Sequence, residues 1–256
     1  MTCALPDRFR SLPFAHRALH ESQAGRPENS RSAIAAAVGA GYGIEIDLQL
    51  SADGRAMVFH DYDLRRLTAE AGPIAQRSAD ELRRIALRYG DGEGIPTFSE
   101  VLDLVAGRMP LLVEIKDQDG AMGPNVGRLE AAAAADLSGY GGLVAAMSFN
   151  PNSVVEMARH APGIPCGLVT SAYDPDDWNL NTKTCDRLRD IPDFDAVGAC
   201  FISHEAEDLD RRRVQQLRGQ GVPVLCWTIR SPEAEARARR LADNVTFEGY
   251  LAELPA

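Results

Sequence analysis

Three carboxylates stand where buried strands are predicted, and they suggest a metal site. Glu45, Asp47 and Glu114 each lie between aliphatic, mostly β-branched neighbours in short runs typical of interior strands. A buried charge is costly unless it is paired or bound to a metal. Oxygen ligands suit a hard divalent cation such as Ca²⁺ or Mg²⁺, and no cysteine or histidine spacing favours zinc. The alternative is that these charges are satisfied by Lys116 or Arg17.

Two histidines at predicted strand ends could move protons. His16 ends the first strand candidate and is followed by Arg17, and His60 ends a short run after the second strand. A histidine is the natural acid or base near neutral pH, and an arginine offers planar paired donors to a phosphate. We interpret the isolated His20, His160 and His204 as structural residues, and the pair Arg65 and Arg66 as solvated.

A predicted hairpin groups these residues. The pair Asp53-Gly54 is a strong signal for a two-residue type I′ turn. Such a turn would pair Asp47 with His60 across the hairpin, with their side chains on one face. Period-2 alternation then places Glu45 on that face as well.

The elements that must position these side chains alternate along the chain. Helix-start signals separate the strands: Asn29 before a helix beginning at Ser30, the pairs Thr97/Glu100 and Ser153/Glu156, and Ser231-Pro232. Strands separated by helices imply parallel pairing, and a (β/α)8 TIM barrel with a small hairpin after the second strand is expected. A doubly wound open sheet is the alternative. The predicted strands are Phe14–Ala18, Gly43–Leu50, Leu111–Lys116, Val144–Phe149, Cys166–Thr170, Val197–Ile202, Val222–Ile229 and Asn244–Tyr250.

Composition limits the partners. The 256 residues carry 27 Lys and Arg against 37 Asp and Glu, a net charge of −10, and are expected to form one domain over 1–256. This acidity argues against nucleic acid and against stable membrane association. Five cysteines without a C-x-x-C pair predict reduced, mostly buried thiols, and no signal peptide or membrane span is visible. We therefore expect a cytoplasmic protein; its oligomeric state is not encoded in these patterns.

Nine short motifs follow one another along the chain in a characteristic order and spacing. They are His16-Arg17, Pro27-Glu28-Asn29-Ser30, Glu45-Ile46-Asp47, Asp53-Gly54, His60-Asp61, Ile95-Pro96-Thr97, Glu114-Ile115-Lys116, Ser148-Phe149 and Trp227-Thr228. This series resembles the glycerophosphodiester phosphodiesterase family, whose fold is a (β/α)8 barrel. The similarity runs from about residue 14 to about residue 230 and is strongest before residue 117.

The resemblance implies a role for each residue. Glu45, Asp47 and Glu114 would hold the cation, and His16 and His60 would be the base and the acid. Arg17 and Lys116 would bind the phosphate of a small glycerophosphodiester, and Trp227 would line the glycerol site or pack in the core. The implied reaction yields sn-glycerol 3-phosphate and an alcohol.

Two departures from the family pattern bear on activity. Ala18 replaces the usual glycine, which would cost about 1 kcal/mol if the position requires a positive φ, or would narrow the pocket. The final strand lacks the usual Thr-Asp pair, and its carboxylate is expected at Glu248 instead. Three alternatives remain: a phospholipase C-like or lysophospholipase D-like lipid enzyme, an inactive module that binds glycerol phosphate, and a metal-dependent aldolase-like barrel.

Overall fold

Eight parallel strands close into a barrel in the computed structural model, which describes residues 4–255. Neighbouring barrel strands pair in parallel, and β1 closes the ring by pairing with both β2 and β9. The short β3 pairs antiparallel with β2 and forms the predicted hairpin. The strands are β1 Phe14–Ala15, β2 Gly43–Leu50, β3 Ala56–Val58, β4 Leu111–Ile115, β5 Val144–Ser148, β6 Cys166–Thr170, β7 Phe201–Glu205, β8 Val224–Ile229 and β9 Asn244–Phe247. The predicted (β/α)8 barrel is confirmed.

Helices cover the outside of the barrel, as parallel crossovers require. None in the described part of the chain is long and apolar enough to cross a bilayer. Cys3 lies outside the described residues, whereas Cys166, Cys185 and Cys226 are buried as expected. The helices are α1 Asp7–Ser11, α2 Arg31–Ala40, α3 Ala79–Leu82, α4 Phe98–Val105, α5 Arg128–Leu137, α6 Pro151–His160, α7 Thr182–Arg189, α8 Arg212–Gly219 and α9 Pro232–Ala238.

The predicted helix starts are partly confirmed. Thr97 with Glu100 forms a capping box, and Ser231 caps α9 ahead of Pro232. Ser153 lies inside α6, which is capped by Asn150 instead. The predicted capping box at Ser153 is therefore wrong, because Asn150-Pro151 starts the helix one turn earlier.

The hairpin register differs from the prediction by one residue. Leu50 pairs with Ala56, and Gly54 alone takes a left-handed φ of +80° in the turn, so the loop has three central residues. This is a type I turn with a glycine bulge rather than type I′. Phe59 donates its backbone N–H to Asp47, and His60 follows it beyond the paired strands. The proposed Asp47–His60 pair is wrong in register.

Two apolar layers hold the barrel. Outward-facing strand residues such as Ile44, Ile46 and Val113 pack under the helices, whereas Phe14, Leu112 and Phe201 fill the barrel interior. A separate cluster, from Met57 and Phe59 to Leu87 and Ile95, supports the segment that follows β3. That segment carries His60 to the end of the barrel where the parallel strands terminate.

Candidate active site

The three predicted metal ligands converge at the carboxyl end of the barrel. Glu45 and Asp47 alternate with outward-facing residues along β2, and Asp47 lies beside Glu114 on the paired strand β4. One carboxylate oxygen from each lies within 4.8 Å of the others, and all three residues are buried. Burial, followed by the charges of Asp47 and Glu114, raises the pKa of Glu45 well above its ordinary value. The cluster thus concentrates more negative charge than its surroundings balance.

Two cationic side chains, Lys116 and Arg17, partly balance the charge of this cluster. The alternative considered from the sequence, that Lys116 or Arg17 satisfies these carboxylates, is therefore partly correct. Lys116 Nζ lies 2.8 Å from Glu114 Oε1 and 3.0 Å from Asp47 Oδ1. Burial opposes ionisation of Asp47, but Lys116, His60 and Arg17 hold its pKa below the ordinary range. The Glu45 side chain, in contrast, accepts only one hydrogen bond from the described residues, from the backbone N–H of Arg17 at 2.8 Å. A divalent cation fits the remaining charge and the all-oxygen donor set.

The backbone turn after β1 explains the Ala18 departure. Arg17 and Ala18 have φ values of +51° and +65°, so this position does take the left-handed conformation that glycine favours. The turn aims the Arg17 N–H at the Glu45 side chain and the Ala18 N–H at the Glu45 carbonyl, 2.9 Å away. The Ala18 methyl is buried in the outer core and is not among the residues lining the pocket.

His16 is oriented by a carboxylate from the last strand. Its Nδ1 lies 2.6 Å from Glu248 Oε2, immediately after β9, and Arg230 Nη2 holds the other oxygen at 2.7 Å. A carboxylate oxygen can only accept a hydrogen bond, so Nδ1 is the donor and Nε2 is left to accept a proton. The hydrogen bond from His16 holds the pKa of Glu248 below its ordinary value. Burial lowers the pKa of His16, against the raising effect of that bond. His20 Nε2 lies 3.6 Å from the same oxygen.

His60 has a matching partner in the next residue. Its Nδ1 lies 2.7 Å from Asp61 Oδ1, and Arg66 Nε lies 2.6 Å from the other oxygen. Burial opposes ionisation of Asp61, but the hydrogen bonds from His60 and Arg66 hold its pKa below the ordinary value. Arg66 also bonds Glu28, which accepts from Arg17 Nη1 at 2.8 Å. A continuous network therefore links Arg17 to His60.

This network corrects two expectations. Arg66 was expected to be solvated; its side chain is 46% exposed, but it also bonds both Asp61 and Glu28, so the prediction is only partly correct. Arg65 fits the prediction with its side chain 76% exposed. Asn29 was expected to cap a helix, but Ser30 caps α2. Asn29 is instead buried at a φ of +57° and donates from Nδ2 to Asp47 Oδ2 at 2.9 Å.

One pocket of about 180 Å³ brings together all eight residues singled out from the sequence. Arg17 Nε is buried there without a hydrogen-bond partner among the described residues and lies 3.7 Å from Asp47 Oδ2. Trp227 lines the pocket while its Nε1 donates to the Ser203 carbonyl, so the ring is both packed and accessible. The eight residues are His16, Arg17, Glu45, Asp47, His60, Glu114, Lys116 and Trp227.

Comparisons with known proteins identify the family of this chain. The model of the glycerophosphoryl diester phosphodiesterase family matches residues 16–245. A glycerophosphodiester phosphodiesterase of Caldanaerobacter subterraneus is 29% identical over 67% of this chain and 72% of its own length. An Oleispira antarctica phosphodiesterase, solved in complex with the product sn-glycerol-3-phosphate, has a TM-score of 0.75 at 24% identity over 92% of this chain and 93% of that chain. A Parabacteroides distasonis glycerophosphodiester phosphodiesterase has a TM-score of 0.71 at 20% identity, covering 93% of this chain and 92% of that one. At these identities the two solved structures show only that the fold is shared. The match to the family model over residues 16–245 shows that the chain is related to that family. The chain belongs to the glycerophosphoryl diester phosphodiesterase family, whose members are phosphoric diester hydrolases, as the sequence predicted.

Proposed function

We propose that the protein hydrolyses small glycerophosphodiesters to sn-glycerol 3-phosphate and an alcohol, with a divalent cation bound by Glu45, Asp47 and Glu114. The observation that carries this proposal is the single pocket in which two carboxylate-partnered histidines face the three-carboxylate cluster. The Oleispira relative's product complex supports the same substrate class.

Phosphate binding is assigned to Arg17 and Lys116. The bound Ca²⁺ or Mg²⁺ would supply positive charge to the non-bridging phosphate oxygens. Arg17 contributes its unpartnered Nε, and Lys116 contributes an ammonium whose pKa is raised by Asp47 and Glu114 despite its burial. Fixed positive charge is most effective in a site where it requires no reorganisation during the reaction.

Proton transfer is assigned to the two histidines. His16 Nε2 takes the proton from the attacking hydroxyl, either water or the glycerol 2-hydroxyl, and Glu248 stabilises the resulting imidazolium. When the 2-hydroxyl attacks, a cyclic glycerol phosphate forms first, and water then opens it to sn-glycerol 3-phosphate. His60 donates a proton to the departing alkoxide as the bond between phosphorus and the alcohol oxygen breaks. Asp61 and Glu248 act as positioning residues, since each holds one histidine through Nδ1.

The decisive experiment measures hydrolysis of glycerophosphocholine and bis(p-nitrophenyl) phosphate with EDTA and after restoring Ca²⁺ or Mg²⁺. EDTA should abolish turnover and one of the two cations should restore it. His16→Ala and His60→Ala should each lose most turnover and keep the wild-type circular dichroism spectrum, whereas the surface variant His160→Ala should behave as the wild type. Near wild-type hydrolysis in either active-site variant would refute the assignment, and turnover in EDTA would favour the phospholipase C-like alternative.

Some predictions rest on the sequence alone. We propose one domain over residues 1–256, a cytoplasmic location, and no partnership with nucleic acid or membrane. These follow from composition and charge.

A further inference from the structure

A second cleft, of about 600 Å³, opens beside the catalytic pocket. The two share His60, Glu114, Lys116, Phe149 and Trp227 as lining residues, so they form one continuous space. His16 lines only the catalytic pocket. The cleft therefore lies on the side of the site where His60 stands.

Aromatic rings form the walls of this cleft. Phe149 packs edge-on against Trp178 at a centroid distance of 4.8 Å and against Trp227 at 5.6 Å. Tyr173 supports Trp178 from behind at 4.9 Å. At the rim Tyr62 is 55% exposed and is held by a hydrogen bond from its hydroxyl to the Asp117 carbonyl at 2.8 Å. These rings are held by contacts with one another and by that hydrogen bond.

The charge of the cleft favours a cation. Its lining includes Asp61, Asp63 and Asp117 together with Glu114, and Lys116 is its only Lys or Arg among the described residues. Lys116 is committed to Glu114 and to Asp47. A cation over an aromatic face in such a field is attracted by the ring quadrupole.

The carboxylates that line the cleft favour a cation that has no N–H groups. Asp61 is held by His60 and Arg66. Asp117 accepts three backbone N–H groups as well as the Asn150 amide. Glu114 is assigned to the metal, and Asp63, whose side chain is 43% exposed, keeps Oδ2 without a hydrogen bond among the described residues. A primary ammonium would therefore find only that solvent-facing acceptor, whereas a trimethylammonium group needs only charge and apolar contact.

The reaction places the alcohol half of the substrate here. In an in-line displacement the attacking and leaving oxygens lie on opposite sides of phosphorus, and the leaving oxygen stands beside the general acid. With His60 as that acid, the departing alcohol points into the aromatic cleft. We propose that this cleft binds the alcohol head group and selects alcohols bearing a quaternary ammonium, a proposal that rests on the hydrolysis proposed above.

Kinetics on matched esters test the selectivity. The substrates are glycerophosphocholine, glycerophosphoethanolamine and the glycerol 3-phosphate ester of 3,3-dimethylbutanol, which has the shape of choline without its charge. The choline ester should show about fivefold to tenfold higher kcat/KM than the uncharged isostere, the range expected for a partly desolvated cation–π contact. Trp178→Leu and Tyr62→Leu should bring that ratio close to one. Tyr89→Leu, at a tyrosine that is 62% exposed and lines neither cavity, should keep the wild-type ratio.

Fluorescence separates this inference from the proposed hydrolysis. The chain has two tryptophans, and both line the cleft. Titration with choline chloride should give a saturable change in tryptophan emission that ethanolamine and 3,3-dimethylbutanol produce only at about tenfold higher concentration. Equal kcat/KM for the choline ester and its isostere, a ratio unchanged in Trp178→Leu, preferred hydrolysis of a long-chain lysophospholipid, or no saturable response to choline would overturn the inference. A saturable response without hydrolysis of any glycerophosphodiester would retain the cleft assignment and refute the proposed function.

Discussion

Replacing Glu248 by glutamine tests whether the last strand tunes the catalytic base. Glu248→Gln keeps the size of the side chain but removes the charge that faces His16 Nδ1 at 2.6 Å. Hydrogen bonds to charged groups contribute about 1.5–3 kcal/mol. When His16 becomes an imidazolium in the transition state, loss of that stabilisation should reduce kcat roughly 10- to 150-fold. KM should change little, because Glu248 does not line the pocket.

The pH profile gives a second readout that a general loss of stability would not move. The Glu248 hydrogen bond raises the pKa of His16, and burial, the larger effect, lowers it. Without the carboxylate, the pKa falls further. Since His16 must be unprotonated to act as base, the acidic limb of kcat/KM should shift to lower pH in Glu248→Gln.

Two matched variants complete this test. Arg230→Gln changes a residue that bonds the far oxygen of Glu248 and also lines the pocket. Its effect on kcat should be smaller than that of Glu248→Gln, and an effect on KM would report its own contact with the substrate. Glu233→Gln changes an exposed glutamate on α9 and should match the wild type. The reasoning fails if Glu248→Gln retains kcat within threefold of the wild type and its acidic limb does not move.

Three further predictions concern metal binding, pH and packing. Saturating Ca²⁺ or Mg²⁺ should raise the unfolding free energy, by about 2.7 kcal/mol at a cation concentration of one hundred times Kd. In a thermal-shift titration, Glu45→Gln should lose most of that gain. An equal gain in the variant would contradict the assignment of Glu45 as a ligand. Burial lowers the pKa of His204 below that of the unfolded chain, so its contribution to stability is present above pH 6.5 and is lost as pH falls. In urea titrations between pH 7.5 and 5.5, the unfolding free energy of His204→Gln should therefore fall less steeply with pH than that of the wild type, by at most about 1.4 kcal/mol per pH unit. Parallel slopes for the two proteins would argue against this role of His204. Gly167→Ala would place a Cβ 2.5 Å from the Phe201 ring and should destabilise the barrel by about 1–3 kcal/mol in urea, whereas exposed Gly163→Ala, with open space around its Cβ, should cost less.

Local patterns were sufficient to predict the barrel and most of the site. Alternation along Gly43–Leu50 placed Glu45 and Asp47 on the interior face, because side chains on a strand repeat with period two. The strand predicted at Val197–Ile202 lies instead at Phe201–Glu205, since turns occupy residues 192–198 and delay its start. Strand ends are less well determined than strand faces because no hydrophobic periodicity marks them.

Features that depend on distant segments could not be read from the sequence. Arg66 bonds Glu28 from 38 residues away, and nothing in its neighbourhood distinguishes it from a solvated arginine. Asn29 carried one usable signal, because asparagine tolerates the left-handed conformation that it adopts here. His60 was grouped correctly with the acidic residues although the register behind that grouping was wrong, because the loop after β3 returns it to the same face of the site.

Closure of the ring makes catalytic competence depend on the whole barrel. His16 follows the first strand, and Glu248 follows the last, and they meet only because β1 pairs with β9. During synthesis, a chain that lacks the last strand already contains the three proposed cation ligands, but His16, the proposed base, has no carboxylate partner. Turnover during refolding should therefore appear only when β1 pairs with β9. Substrate hydrolysis would then report when the final step of barrel assembly takes place.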